Sequence, residues 1–211
     1  MANPFPMDRE EKRVYDLDII YEEIDKGGGF ARTAAIIDRG VDYRRINYFV
    51  DHGQLRRIKS GYYTYPNEKY TEEQLVPSLF PDGVLTMESA LYYHGYLKER
   101  PYGWSIAISK NVSKSRFKLE YPVVEPYYTE PAVLEMGREE IEIAGHTMGI
   151  YSKDRLACDL LKYEEKISRE LFRQGLLAYI GDETKDIAAL MDFAAKRKVT
   201  SRVRAVIGVW L

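Results

Sequence analysis

The chain has 211 residues, enough for one large domain or two small ones, and its 45% hydrophobic and 30% charged residues are typical of a globular protein and exclude a disordered one. Its 31 basic and 33 acidic residues leave a net charge of −2, which excludes a protein that coats nucleic acid over its whole surface. The single cysteine, Cys158, excludes an intramolecular disulfide and favours a reducing cytoplasm, and no apolar run predicts a membrane span or a signal peptide.

The N-terminal part of the sequence predicts three helices. Apolar residues recur at three- and four-residue spacing through 8–26, which predicts an amphipathic helix. A second helix is predicted over 31–38, and a third follows from Asp42, the predicted N-cap, to Gly53. The residues predicted to be buried are Val14, Leu17, Ile20, Tyr21 and Ile24 in the first helix, Ala34, Ile36 and Ile37 in the second, and Ile46, Phe49 and Val50 in the third.

A β-hairpin is predicted directly after the third helix. Two short runs rich in β-forming residues, 55–59 and 62–65, flank the pair Ser60-Gly61. The stretch 67–83 is predicted to be a connection because it contains Pro77 and Pro81, with a single helical turn at the capping box of Thr71 and Gln74.

The rest of the sequence predicts a mixed α/β part with a helical end. A helix is expected from Thr86 to His94, and short strands are expected over 104–150, where prolines interrupt an alternating pattern. The helical period then returns, with helices near 153–163, 168–180, 184–196 and 199–210. The predicted fold class is α+β, with a domain at 1–68 and a second domain at 80–211.

Three helices followed by a hairpin are typical of the winged helix-turn-helix, in which the third helix enters the major groove of DNA. An advance of about 100° per residue places Arg44 and Tyr48 on the outward face of that helix. The flanks of this face carry Arg45, Asn47 and His52, and the hairpin adds Arg56, Arg57 and Lys59 as wing contacts to phosphate or the minor groove.

The distribution of charge favours the same interpretation. Residues 8–25 hold 3 bases and 8 acids, whereas residues 26–66 hold 8 bases and 3 acids. The basic charge therefore lies on the predicted recognition helix and wing. The alternative is a solvated basic face on a helical domain that binds a protein partner.

Several motifs resemble the AbiEi-like abortive-infection antitoxins, the transcriptional regulators of type IV toxin-antitoxin systems. The N-terminal motifs are Gly29-Phe30 before the second helix and the run GQLRRIKSGY at 53–62. In the second half, residues 88–97 (ESALYYHGYL), 105–109 (SIAIS) and 154–163 (DRLACDLLKY) resemble the family in order.

The resemblance implies a repressor that binds the promoter of its own operon and an antitoxin domain that counteracts a nucleotidyltransferase toxin. One winged helix covers few base pairs, so two copies on an inverted repeat are expected. The predicted partners are promoter DNA and the cognate toxin, with no membrane.

The sequence predicts no enzyme, cofactor or metal site. His52, His94, His146 and Cys158 lack metal-ligand spacing, and Cys158 is expected in the core. The run Glu164-Glu165-Lys166 has the E-x-K form of metal-dependent nucleases, but it is predicted at a helix end and not on a strand, so nuclease activity remains the weaker alternative. A second basic cluster is formed by Lys196, Arg197, Lys198, Arg202 and Arg204; it either complements a helix end in solvent or contacts nucleic acid or the toxin.

Overall fold

The structure is a computed structural model that describes residues 7–67 and 69–208. It is α+β, and its described part contains ten α-helices and two sheets. The chain forms two compact units: one comprises the chain up to Leu79 with the segments Lys118–Pro122 and Ala144–His146, and the other comprises the remainder. Within the described residues, no helix is both long enough and apolar enough to cross a membrane.

Helix α1 spans Arg9–Lys26 and begins with a capping box. The Asp8 carboxylate accepts hydrogen bonds from the N–H groups of Glu10 and Glu11, and the Glu11 carboxylate accepts one from the N–H of Asp8. The helix buries Ile19, Ile20 and Ile24, which agrees with the three- and four-residue spacing of apolar residues in the sequence. The predicted stripe is wrong at Val14, which is 58% exposed, because the buried face of the helix passes through Asp16 instead.

The second predicted helix begins two residues later than expected. Ala31–Arg32 form strand β1, and helix α2 spans Thr33–Asp38. Only Ile36 of α2 is buried; Ile37 is 46% exposed and Ala34 is also exposed, so these two predictions are wrong. The cause is the pairing of β1 with a later strand, which leaves a helix of less than two turns with one inward position.

Helix α3 spans Tyr43–Asp51. Its predicted N-cap is confirmed, because the Asp42 carboxylate accepts the N–H of Arg45 at 2.9 Å. Ile46 and Phe49 are buried, and Val50 packs against the same core at half-burial. Gly53, which follows the helix, has a φ of +66°, a conformation that favours glycine.

The predicted hairpin is present, as β2 (Arg56–Lys59) and β3 (Tyr62–Thr64). Strand β1 adds to the other edge of β3, which gives an antiparallel sheet in the order β1-β3-β2. The order of elements in this part of the chain is therefore α1-β1-α2-α3-β2-β3.

The predicted connection contains helix α4, Glu72–Leu79, so the prediction of a single turn there is wrong. Thr71 supplies half of the expected capping box, since its N–H donates to Gln74 Oε1 at 3.1 Å. Pro77 is tolerated near the end of this helix, where it removes one backbone donor while Leu75 and Val76 remain fully buried.

The C-terminal unit is built on a mixed five-stranded sheet in the order β6-β5-β4-β8-β7. Strand β5 pairs in parallel with β6 and antiparallel with β4, and β4 pairs in parallel with β8. The strands are β4 (Val84–Leu85), β5 (Trp104–Ser109), β6 (Val124–Thr129), β7 (Arg138–Ile143) and β8 (His146–Tyr151). The helices are α5 (Met87–Tyr93), α6 (Pro131–Leu134), α7 (Lys153–Lys162), α8 (Arg169–Gly181), α9 (Ile187–Arg197) and α10 (Thr200–Val206).

Helix α7 is central to this unit, because every residue from Arg155 to Leu161 is buried. The expected strands over 104–150 and the expected helices after 153 are confirmed as elements, with boundaries that differ by a few residues.

Candidate nucleic-acid interface

The outward face of α3 combines an exposed cation with a partly covered aromatic ring. Arg44 is exposed, as predicted from its position on the helix. Tyr48 is not fully exposed but half-buried. Its ring packs against the core and stacks on the His52 ring, with the two ring centroids 3.9 Å apart. The guanidinium of Arg13, on α1, lies 4.8 Å from the centre of the Tyr48 ring. Arg13 therefore adds a cation beside the face that the sequence assigned to Arg44 and Tyr48.

Arg45 does not point outward with Arg44. Its Nε lies 3.0 Å from a carboxylate oxygen of Asp16, and the two side chains are 22% and 7% exposed. The pair joins α3 to α1 and explains why an aspartate occupies the buried face of α1. The structure thus assigns Arg45 an internal partner, which the helical-wheel argument did not detect.

Asn47 and Arg57 contact each other across the gap between α3 and β2. Arg57 Nη2 donates to Asn47 Oδ1 at 3.1 Å. Arg57 pairs in register with Tyr63, which is 1% exposed, and its guanidinium lies 5.9 Å from the centre of that ring. Its Nε is buried and has no hydrogen-bond partner among the described residues. Arg57 is therefore a half-buried residue facing α3 and not a solvated cation of the wing.

Next to the row that contains Tyr63, a second row of one aromatic and two cationic residues crosses the three-stranded sheet. Tyr62 pairs in register with Arg32 on β1 and with Lys59 on β2. The Tyr62 ring centre lies 5.5 Å from the Arg32 guanidinium and 4.3 Å from Lys59 Nζ. Because paired residues on adjacent strands project to the same face, the row presents its cations together.

Arg56 is exposed, but its guanidinium lies 3.5 Å from the centre of the Tyr121 ring. The segment that carries Tyr121 is held against β2 by the Glu120 N–H, which donates to the Ile58 carbonyl at 2.7 Å. The side chain of Arg56 is thus oriented by an aromatic partner distant in the sequence.

Sequence reasoning did not name Arg13, Arg32 and Tyr62 as candidate residues. The signal for Arg32 was present, since a strand before α2 would place it beside the hairpin, but the pattern 31–38 favours a helix. The contact between Arg13 and Tyr48 has no local signal, because it depends on the packing of α1 against α3.

The second basic cluster is not a continuous surface patch. Arg197 is 3% exposed, and its Nε lies 2.6 Å from Asp159 Oδ1, so its expected place in solvent is wrong. Lys196 pairs with Asp192 at 2.7 Å, and Arg202 donates to the Leu161 carbonyl at 2.6 Å and pairs with Glu164. Lys198 and Arg204 are exposed. Arg197 leaves the cluster because it joins a buried triad in which Asp159 contacts the guanidinium groups of both Arg155 and Arg197.

The residues with catalytic potential are separated from one another. Within 7–67 and 69–208, no three His, Cys, Asp or Glu side chains are grouped to hold a metal ion. Cys158 is fully buried, and burial raises the pKa of its thiol to about 12. The run Glu164-Glu165-Lys166 forms a short 3₁₀ turn and not a strand. The ring of His94 is engaged elsewhere, since its Nε2 lies 2.7 Å from the Tyr151 carbonyl oxygen.

Comparison with known proteins identifies the N-terminal segment. Residues 18–66 match the family model described as transcriptional regulator, AbiEi antitoxin. The AbiEi-like assignment made from the sequence is thereby confirmed over this segment, which contains α2, α3 and the three-stranded sheet. No curated protein sequence matches the chain.

A solved structure shares the fold over a longer range. The crystal structure of the RV2827C protein from Mycobacterium tuberculosis superposes with a TM-score of 0.57 at 12% sequence identity, over 99% of this chain and 85% of that chain. At this identity the likeness concerns the fold alone.

Proposed function

We propose that the AbiEi-like segment and α1 form a winged helix-turn-helix domain that binds the promoter of the protein's own operon and represses it. We further propose that the C-terminal unit counteracts a nucleotidyltransferase-type toxin, and that neither activity involves catalysis. The family description supports a transcriptional regulator that is also an antitoxin.

The observations that carry the DNA-binding proposal are the exposed Arg44 on α3 and the pair of cations on the adjacent three-stranded sheet. The element order α1-β1-α2-α3-β2-β3 places the hairpin next to the third helix, as in winged helices. Arg44 on α3 and the row of Arg32, Tyr62 and Lys59 then supply one residue for base contact and two cations for phosphates. Within 26–66 the bases exceed the acids by five, which favours an anionic partner for this segment although the whole chain is not basic.

Replacement of Arg44 by alanine tests the proposal. If Arg44 reads a base, Arg44→Ala lowers affinity for the promoter by about 1–3 kcal/mol and relaxes the sequence preference. The matched control is Arg39→Ala, which removes an equal charge from a side chain that pairs with Glu22 and Glu23 on α1. Gel-shift titration of both variants decides the matter: equal binding by Arg44→Ala and wild type contradicts the assignment of α3 as recognition helix.

A second candidate function is protein binding by the N-terminal unit. The outward face of α1 favours it, since Val14 and Tyr15 are 58% and 52% exposed and lie beside the acidic Glu11 and Asp18. Salt discriminates between the two candidates. Binding to DNA releases counterions from each neutralised phosphate, so affinity for a promoter duplex must fall steeply as salt rises. An absence of binding to that duplex at low salt favours the protein-binding candidate.

We also propose that two copies bind an inverted repeat. A single recognition helix contacts few base pairs, and a pair of half-sites supplies the specificity that a genome requires. Footprinting of the promoter at saturation is expected to show two symmetric protected segments, and a single protected half-site contradicts the arrangement.

A further inference from the structure

The contact between Arg57 and Asn47 fixes the orientation of a side-chain amide on α3. A guanidinium has N–H donors and no acceptor. The amide atom that faces Arg57 Nη2 at 3.1 Å must therefore be the carbonyl oxygen of Asn47, whichever way the amide would otherwise turn. The Asn47 amide nitrogen is then the amide atom that Arg57 Nη2 does not engage.

The Arg57 side chain is itself held in place by its neighbours. Its guanidinium packs over the Tyr63 ring, and its own strand position is set by the register pair with Tyr63. Tyr63 is 1% exposed in the core that also contains Ile46 and Phe49 of α3. The donor that orients Asn47 is thus anchored on the same core as the helix that carries Asn47.

We infer, on the basis of the proposed DNA-binding function, that Arg57 is a positioning residue that makes Asn47 read DNA as a hydrogen-bond donor. An unrestrained asparagine recognises adenine through both amide atoms, accepting from N6 and donating to N7. Arg57 occupies one of the two lone pairs of the Asn47 oxygen and places a cation beside the other, which disfavours a further donor there, so Asn47 is expected to act through the two hydrogens of its amide nitrogen. Guanine presents two acceptors in the major groove, O6 and N7, whereas adenine presents one acceptor beside a donor, so guanine is the base that a donating Asn47 fits best.

This role differs from the one that the sequence suggests for Arg57. If a wing arginine contacts phosphate, its removal lowers the affinity for all DNA sequences alike. A positioning arginine changes the preferred base at one position, because its loss frees the Asn47 oxygen to accept from adenine. The two roles therefore predict different results from the same substitution.

The experiment uses the full chain and a pool of duplexes randomised around the promoter site. Selection with wild type and with Asn47→Ala identifies the base pair read by Asn47, at which the wild type is expected to favour guanine by about 5- to 150-fold, the range of one good base contact. Arg57→Met is expected to shift the preference at that position from guanine toward adenine. Arg57→Lys, which retains a donor, is expected to keep guanine.

Two controls separate this role from loss of charge and from loss of structure. Arg56→Met removes the same charge from the neighbouring residue, whose guanidinium lies over Tyr121 and not against α3, and it is expected to leave the base preference unchanged. Wild type bound to a duplex with 7-deazaguanine at the identified position tests the contact without any substitution, and a loss of affinity is expected because N7 is absent.

The possible results are distinct. Adenine preferred by the wild type, an unchanged preference in Arg57→Met, or full affinity for the 7-deazaguanine duplex overturns the inference while promoter binding stands. If Arg57→Met does not fold, the wild-type preference and the 7-deazaguanine duplex decide alone. A wild-type chain that binds no duplex overturns the proposed function and this inference with it.

Discussion

The arginines of the N-terminal unit have different partners although they are close in sequence. Arg44 is exposed, and its neighbour Arg45 pairs with the buried Asp16 of α1. Arg56 lies over Tyr121, and its neighbour Arg57 donates to Asn47. A guanidinium combines a flat apolar face with five donors, so the same residue type serves as a packing group, a structural donor or a phosphate contact according to its position.

Removal of Arg45 is expected to destabilise the unit, and its effect on DNA binding is expected to follow from that. Arg45→Ala leaves the Asp16 carboxylate buried without its cation, at a cost of about 2 kcal/mol in free energy of unfolding. Urea titration of Arg45→Ala, Asp16→Asn and the double variant measures the coupling between the two residues. Additive effects of the two substitutions would show that the pair contributes nothing of its own.

Cys158 is expected to be unreactive in the folded protein. Burial raises the pKa of its thiol to about 12, and Sγ donates to the Leu190 carbonyl at 3.5 Å, so almost no thiolate exists at pH 8. A thiol reagent such as DTNB should label the chain in urea and leave the native protein unmodified over the same period. Rapid labelling of the native protein would contradict the buried position of this residue.

The elements of the N-terminal unit are connected by side chains that cross between them. Residues of α1, α3 and the three-stranded sheet share one core, which includes Ile20, Ile46 and Tyr63. The helix α3 itself has only nine residues, so it is too short to be stable alone in water. Its ends are defined by the Asp42 N-cap and by Gly53, and its orientation is set by this shared core.

Loss of the α3 N-cap gives a prediction for the element. Asp42→Ala removes the acceptor for the Arg45 N–H and is expected to lower the free energy of unfolding by about 1 kcal/mol. Asp42→Asn retains an acceptor oxygen and is expected to stay near the wild-type value. Thermal unfolding followed by circular dichroism compares the three proteins; equal melting temperatures for Asp42→Ala and wild type would show that the cap does not stabilise the helix.

For the molecule as a whole, the two compact units differ in their chemistry. The N-terminal unit has an exposed cation on α3 and a cationic row across its sheet, whereas the C-terminal unit buries its main ionic cluster. Lys118–Pro122 belongs to the N-terminal unit, so the units are not two uninterrupted lengths of chain. Substitutions in the full chain are therefore a better test of a division of labour than truncations.

The proposed functions should separate by substitution. Arg44→Ala is expected to lose promoter repression and still relieve toxicity of the cognate toxin. Arg197→Ala breaks the buried pair with Asp159, destabilises the C-terminal unit by about 3 kcal/mol, and is expected to impair relief of toxicity while promoter binding persists. Lys196→Ala, at an exposed neighbour, is the control. Growth in the presence of the toxin measures relief of toxicity, and a promoter reporter measures repression. If Arg44→Ala no longer relieves toxicity, the antitoxin activity depends on DNA binding.

The sequence by itself determined most of the elements. The periodic runs predicted α1, α3, the hairpin and the C-terminal helices, and the Asp42 cap followed from local chemistry. These features depend on interactions between residues a few positions apart, which a sequence pattern records. The AbiEi-like motifs at 29–30 and 53–62 also lie inside the segment that matches the family model.

Only the tertiary structure decided the partners of the charged side chains. Strand β1 and helix α4 depend on contacts with distant residues, which override the local helical pattern at Ala31 and the proline at position 77. The pairs Arg45 with Asp16, Arg57 with Asn47 and Arg197 with Asp159 join separate elements. A helical wheel gives the direction of a side chain but not the group that it contacts. For a long, flexible arginine, the interaction energy with that group decides whether the side chain stays in solvent.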